Sequence, residues 1–323
     1  MHEEPNPLRN DRNVLLSGAS GMLGSALRDA LTSRNQPILQ LVRRPSASPT
    51  QVQWNPSESP AICYPEALEN ISAAIHLSGA SVAAHRWSPA YKREIAESRI
   101  QSTRALAGVL TQLRQPPHTL LVASATGIYG NRDAQLLDDN SAPGSGFLAE
   151  VCQEWEAAAQ PAAQAGIRVV SLRFGVVIGP GPGALAKMLP LFRLGLGGPL
   201  GSGRQWMSWI SLQDAVSAIL FLLDTPAIDG PVNLTAPAPI TNAQFTRALA
   251  QAVHRPAVVP APAFALRLAL GEIADEALLA SARVYPSKLI SAGFQFTHPT
   301  ISQAIDSALA DSVGNLRKWH FSV

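Results

Sequence analysis

Short apolar runs alternate with amphipathic stretches along most of the chain, and this rhythm predicts strands and helices in turn. The run Val14-Leu15-Leu16 reads as a buried strand, and Leu23, Ala26, Leu27, Ala30 and Leu31 then fall on one helical face. Further strands are expected over 38–42, 73–77, 119–124 and 169–174, with a short one at Val52-Gln53-Trp54. Helices are expected over 89–113, with Ile95, Ile100, Leu106 and Leu110 inward, and over 147–164. Such strand–helix alternation marks an open parallel sheet covered on both faces.

From Gly183 the pattern changes. A short helix over 185–194 leads into the glycine-rich run 195–203, and Trp206, Met207, Trp209 and Ile210 follow, as a pocket wall or as ordinary core. Helices over 214–223, 241–254 and 264–270, a strand over 232–234 and a Pro-rich link over 256–262 complete the reading, with no internal repeat. Asp214 falls in the first turn of its helix, where an anion is favoured. The expected organisation is a flexible leader over 1–12 and a nucleotide-binding domain over 13–182 with contributions from 205–235. A C-terminal domain on the substrate side follows over 183–310, then a tail over 311–323.

The chemistry concentrates where strands end. The first strand runs into Gly18-x-x-Gly21-x-x-Gly24 and then a helix, the spacing of a dinucleotide-binding turn. Glycine lets the backbone approach a pyrophosphate, and the helix offers free N–H groups and the positive end of its dipole. Ser17, Ser20 and the backbone of Met22 and Leu23 complete the expected cradle. The second strand ends in Arg43-Arg44. An acid there would bond the ribose 2′-hydroxyl of NAD; two guanidinium groups suit a 2′-phosphate, so NADP is the expected cofactor. Small residues Ser78-Gly79-Ala80 follow the strand over 73–77 and leave room for adenine or ribose. At the end of the strand over 119–124, Ser124 and Thr126 carry hydroxyls able to hold a substrate carbonyl.

Composition narrows the classes. Of 323 residues 46% are apolar, enough for a core, and a net charge of +2 gives no nucleic-acid footprint. No apolar run reaches the length of a membrane span, and the polar start lacks a secretory signal, so neither nucleic acid nor membrane is an expected partner. Two cysteines, Cys63 and Cys152, are too few for a disulfide framework and suit a cytoplasmic protein. Seven scattered histidines show no metal-ligand spacing, and no metal is expected.

Taken together, Ser17–Gly24, Trp87 with Ser98-Arg99, Phe147-Leu148-Ala149 with Trp155-Glu156, the stretch 172–181, the glycine-rich run 195–203, and Pro286-Ser287-Lys288-Leu289 with Gly293-Phe294 resemble the YfcH-type epimerase family. This is an atypical branch of the extended short-chain dehydrogenase/reductases, and the likeness covers about 14–309. It implies an α/β, Rossmann-like doubly wound parallel sheet with a smaller, mainly helical C-terminal domain. It implies NADP, with Gly18, Ser20, Gly21, Met22 and Leu23 at the pyrophosphate and Arg43 and Arg44 on the 2′-phosphate. Leu77 and Ser78 would line the adenosine side, with Glu94 and Arg99 close by and Val177 near the nicotinamide. On the bland reading Glu94 and Arg99 are surface charges.

One departure matters. The superfamily's Tyr-x-x-x-Lys pair, which moves the proton, is absent from the window 147–156. Tyr129, Cys152 and Glu156 are candidates to replace it, and the catalytic set expected is Ser124, Thr126 and Tyr129. Ser211 also stands where many relatives place an imidazole. Two functions follow: an NADP-binding oxidoreductase or epimerase-like enzyme on a small polar substrate, such as a nucleotide sugar, or an NADP-binding regulatory protein with little turnover. Either leaves a homodimer open.

Overall fold

The computed structural model describes residues 12–313, with side chains described as far as residue 310; the expected leader and tail otherwise lie outside the described residues. Strand β1 (Asn13–Ser17) opens the chain and helix α1 (Met22–Ser33) follows; its buried residues are Gly24, Ala26, Leu27, Ala30 and Leu31, while Leu23 stays half-exposed. Next come β2 (Ile38–Val42), the short β3 (Gln51–Gln53), β4 (Ile71–His76) and the long α2 (Pro89–Gln112), started by Pro89 and by Ser88, whose side chain caps it. Then follow β5 (Thr119–Ala125), a 3-10 turn (Thr126–Tyr129) and β6 (Leu136–Leu137).

The single helix expected over 147–164 is two, α3 (Phe147–Ala157) and α4 (Gln160–Gln164). Pro161 has no N–H to continue the ladder, so the chain breaks at Ala158-Ala159 and restarts with proline in its first turn. Then come β7 (Arg168–Phe174), β8 (Val176–Ile178), α5 (Ala184–Arg193), β9 (Trp206–Met207), β10 (Trp209–Ser211), α6 (Leu212–Asp224) and β11 (Gly230–Leu234). The C-terminal part holds β12 (Ile240–Thr241), α7 (Asn242–Ala252), α8 (Ala263–Leu270), a π-helical turn (Ala274–Leu278), β13 (Arg283–Val284), α9 (Ser287–Ser291) and α10 (Ile301–Val313).

Seven strands form one parallel sheet in the order β11-β7-β5-β4-β1-β2-β3. One face packs against α1 and α6, through Leu27, Leu31, Ala215 and Ile219. The other packs against α2, Trp155 of α3 and Ala162 of α4. Burial on both faces explains why the strands are continuous apolar runs rather than alternating ones. A separate cluster joins α5, α7 and α10 and belongs to the smaller, more helical C-terminal region. Trp209 and Ile210 are fully buried, so they are core rather than pocket wall; Trp206 and Met207 are half-exposed. The strand order reverses between β1 and β4, and in an open α/β sheet ligands bind beyond the strand ends at that point.

Candidate functional site

The loops leaving β1 and β4 touch through their backbones. Gly18 has φ +74°, and a Cβ there would lie 2.8 Å from the Leu77 carbonyl carbon. A Cβ on Gly24 would lie 2.1 Å from the Gly18 oxygen, so the first turn of α1 closes directly onto the loop. Gly21 differs. A Cβ there would meet only the Gly18 oxygen, at an ordinary 3.5 Å, so the inside of the protein does not require this glycine. Gly21 and Ser20 are exposed, Met22 and Leu23 half-exposed, and no side chain caps the start of α1. The N–H end of the helix is thus open to an anion, with bare backbone in front of it.

Beneath the crevice, Ser17 and His76 join the two switch-point strands. Ser102 Oγ donates to the Ser98 carbonyl (2.7 Å), so it accepts from His76 Nε2 (3.0 Å) and leaves Nδ1 to accept from Ser17 Oγ (2.6 Å). Burial holds the His76 imidazole neutral, with its pKa pushed down to about 4. Leu77, half-exposed, donates its N–H to Ser17 Oγ (3.3 Å), and Ala80 donates to Ser98 Oγ (3.0 Å). The loop holding Leu77 and Ser78 is therefore pinned at both ends.

Arg99 does not sit on the surface. It donates to the Ala80 carbonyl (2.8 Å) and the Ile95 carbonyl (3.0 Å), and its guanidinium lies 5.1 Å from the Trp155 ring. Burial pulls its pKa down. Glu94 is exposed on α2, on the solvent side of the same helix. Arg43 and Arg44, just past β2, are both exposed and have no acidic partner among the described residues. Val177 is half-exposed on β8, opposite Ile210 of β10.

At the end of β5, Ser124 is buried and donates to Glu156 Oε1 (2.7 Å). Glu156 is gripped by Arg173 through two bonds, Nε to Oε1 (2.8 Å) and Nη2 to Oε2 (2.9 Å). Burial pulls the Arg173 pKa down, but Glu156 and Tyr129 outweigh it and leave it raised. Tyr129 is fully buried; its hydroxyl accepts from Arg173 (2.9 Å) and faces the Asn233 side-chain oxygen (2.7 Å) and the Asp138 carbonyl (2.9 Å). Burial raises its pKa. The hydroxyl's one proton is held between these two core acceptors, Asn233 and Asp138, and the group is fully buried, so it has no proton to offer a ligand. Thr126 is half-exposed at the start of the 3-10 turn. Cys152 is buried, and burial with the neighbouring Glu156 pushes its thiol up to about 11.

The sequence reading missed four groups. Arg173 sits inside an apolar strand and gave no spacing signal toward Glu156. Asp139, also buried, accepts from Asn233 N (2.5 Å), Ser287 Oγ (2.5 Å) and Lys288 N (2.9 Å), joining β11 to α9. Glu276, on the π-helical turn, accepts from Leu148 N (3.0 Å) at the start of α3. His298 brings an imidazole beside Ser211 (3.1 Å) from a distant part of the chain.

The C-terminal region holds the crevice rim at several points. Besides Glu276, Lys92 pairs with Glu272 (2.7 Å), Arg86 donates to the Leu268 carbonyl (3.3 Å), and Lys187 of α5 donates to the Ala83 carbonyl.

Comparison with known proteins agrees with this architecture. The sequence model of the NAD dependent epimerase/dehydratase family matches residues 14–234, and that of a domain of unknown function, DUF1731, matches 261–308. An epimerase family protein of Mycobacterium tuberculosis is 46% identical over 295 residues, covering 91% of this chain and 97% of that one. Among solved structures, human epimerase family protein SDR39U1 with NADPH aligns with a TM-score of 0.84 at 29% identity, covering 93% of this chain and 99% of that one. A nucleoside-diphosphate sugar epimerase of Corynebacterium glutamicum aligns with a TM-score of 0.75 at 31% identity, covering 93% of this chain and 58% of that one. The chain belongs to the NAD-dependent epimerase/dehydratase family and carries the DUF1731 domain at its C-terminal end. No helix among the described residues is long and apolar enough to cross a membrane.

Proposed function

We propose that the chain is an NADP-dependent oxidoreductase of the epimerase type, acting on a nucleotide sugar or a similarly polar small substrate. The observation that carries the cofactor choice is the pair Arg43 and Arg44, exposed and without acidic partners among the described residues, one strand away from the glycine loop. Two relatives support the reading: the human one described with NADPH and the Corynebacterium one described as a nucleoside-diphosphate sugar epimerase. In this reading Gly18, Ser20, Gly21, Met22 and Leu23 receive the pyrophosphate, and Arg43 and Arg44 the 2′-phosphate. Leu77 and Ser78 form the adenosine wall, backed by Arg99, and Val177 flanks the nicotinamide; Glu94 contributes charge at the rim. The bound dinucleotide supplies a ring that takes or gives hydride.

Ser124 and Thr126 then meet the substrate. Because Ser124 already donates to Glu156, it turns lone pairs rather than its proton to a ligand. It can accept from a substrate hydroxyl as it stands; donating to a carbonyl requires giving up Glu156. Arg173 fixes Glu156 and so fixes this polarity. The test is stopped-flow absorbance with NADP-loaded protein and a panel of nucleotide sugars: turnover is expected, and Ser124→Ala should lower it about a hundredfold or more. No redox change with any member sinks the enzyme reading.

A second reading, an NADP-binding regulatory protein with little turnover, is favoured by one fact: the Tyr129 hydroxyl and the Ser124 proton are both committed inside the protein, and the window 147–156 holds neither Tyr nor Lys. The cofactor claim is checked separately. Changing Arg43 and Arg44 together to Ala should weaken NADPH by about a hundredfold and leave NADH nearly unchanged, measured by calorimetry. Equal losses for both dinucleotides would show the guanidinium argument to be wrong.

A further inference from the structure

A Tyr-x-x-x-Lys pair sets its two side chains four residues apart, on one face of a helix. In this chain the face of α3 that looks at the end of β5 carries Leu148 and Cys152 at that spacing. A Cβ on Gly127 would lie 3.5 Å from Leu148 Cβ and 4.0 Å from Cys152 Sγ. Leucine has no proton to give or take, and the buried Cys152 thiol is pushed up to about 11. One turn further along the same face stands Glu156, which accepts from Ser124 Oγ at 2.7 Å. It is the first carboxylate on this face.

The surroundings equip the pair for proton transfer. Ser124 is buried, and its proton already points to Glu156 Oε1, which leaves its lone pairs for a substrate hydroxyl. The Glu156 side chain is only 16% exposed, so little water reaches it. Arg173 holds both of its oxygens, at 2.8 Å and 2.9 Å, and so fixes Oε1 against the serine. When the carboxylate takes up a proton, the guanidinium still has the Tyr129 hydroxyl (2.9 Å) and the Asp139 carbonyl (3.3 Å) as acceptors. A fixed cation therefore stands beside the proton acceptor, although no lysine does.

We propose that Ser124 and Glu156 are the proton relay of this chain. The proposal rests on the enzyme reading above. A substrate carbon loses its hydride to the oxidised nicotinamide, which is reduced. The hydroxyl proton passes to Ser124 Oγ as the serine proton passes to Glu156 Oε1, and the carbon–oxygen bond becomes double. Return of the hydride to the other face of that carbonyl runs both proton shifts backwards. Over the cycle no proton is gained or lost. A buried acceptor suits this, because epimerisation only holds the proton between two hydride transfers, whereas net oxidation has to release it to water. Ser124 is the catalytic residue, and Glu156 acts through it.

The test counts protons against reduced nicotinamide. NADP-loaded protein, in weak buffer with a pH-indicator dye, is mixed in stopped flow with UDP-glucose, UDP-glucuronic acid or UDP-N-acetylglucosamine. Reduction without a dye response is expected, together with a protonated-carboxyl band in the infrared difference spectrum. One proton in solvent per nicotinamide reduced overturns the proposal and leaves the enzyme reading standing. No reduction with any of the three sinks both. Glu156→Gln alone would strand Arg173, so Glu156→Gln with Arg173→Gln removes both charges together. Its kcat should fall about a hundredfold or more with KM within about threefold, and its residual reduction should release the proton to the dye. A double variant that keeps the wild-type kcat, or still withholds the proton, shows that another group takes it and overturns the assignment. Where that variant fails to fold, the wild-type proton count and infrared band decide.

Discussion

At the scale of single residues, His76 shows how burial decides a side chain's role. It could have been a proton carrier near a crevice; instead both ring nitrogens are bonded to serines and the ring stays neutral. Stability should report this. The ordinary imidazole pKa is 6.5 and the folded value about 4, so below pH 6.5 the unfolded chain takes up a proton that the native one refuses. Stability contributed by this group is complete above 6.5 and is lost as pH falls toward 4, at up to about 1.4 kcal/mol per pH unit. Urea unfolding at pH 7 and pH 5 should show the wild type losing about 2 kcal/mol more across that interval than His76→Gln, which is weaker at pH 7 but flatter. Equal losses in both proteins would mean that the ring is already charged in the fold. The same distinction governs Ser124 and Tyr129: the sequence shows hydroxyls at a strand end, but only the fold shows where each proton goes.

At the scale of elements, Asp139 shows how one carboxylate ties distant segments together. Its carboxylate takes one backbone N–H from β11, and a hydroxyl and a second N–H from the start of α9. Removing it leaves three buried or half-buried donors without an acceptor, each costing about 1–3 kcal/mol. Asp139→Ala should therefore cost on the order of 3 kcal/mol or more in chemical denaturation, with retained far-ultraviolet dichroism. A loss below about 1 kcal/mol would mean that water replaces the carboxylate freely. Strands and helices were legible here because apolar runs and helical faces are local signals: β1, α1, β2, α2 and β5 lie within a few residues of where periodicity sets them. The break between α3 and α4 was written in Pro161 but masked by the alanines around it, which suit either side of a break. Asp139 and Glu276 gave no signal, because their partners lie about 94 to 149 and 128 residues away in the chain.

At the scale of the whole molecule, the parallel sheet and its switch point follow from strand–helix alternation, and the glycine loop falls at that point because both obey the same spacing. The C-terminal region was harder to read. Its helices are short, its link is rich in proline, and α8 carries exposed apolar residues that nothing among the described residues covers, so periodicity could not say what it packs against. The surroundings of Arg99 and Ser211 were likewise invisible, since Trp155 and His298 reach them only through tertiary packing.

The floor and the rim of the crevice are built differently. Gly18, Gly24 and Leu77 meet main chain to main chain and have no slack, whereas Glu272, Glu276 and the Leu268 carbonyl hold the rim by single polar bonds at or near the surface. Leu268 and Glu272 bracket the C-terminal end of α8, so a substitution that cuts those rim tethers frees that end of the helix and leaves the floor as it is.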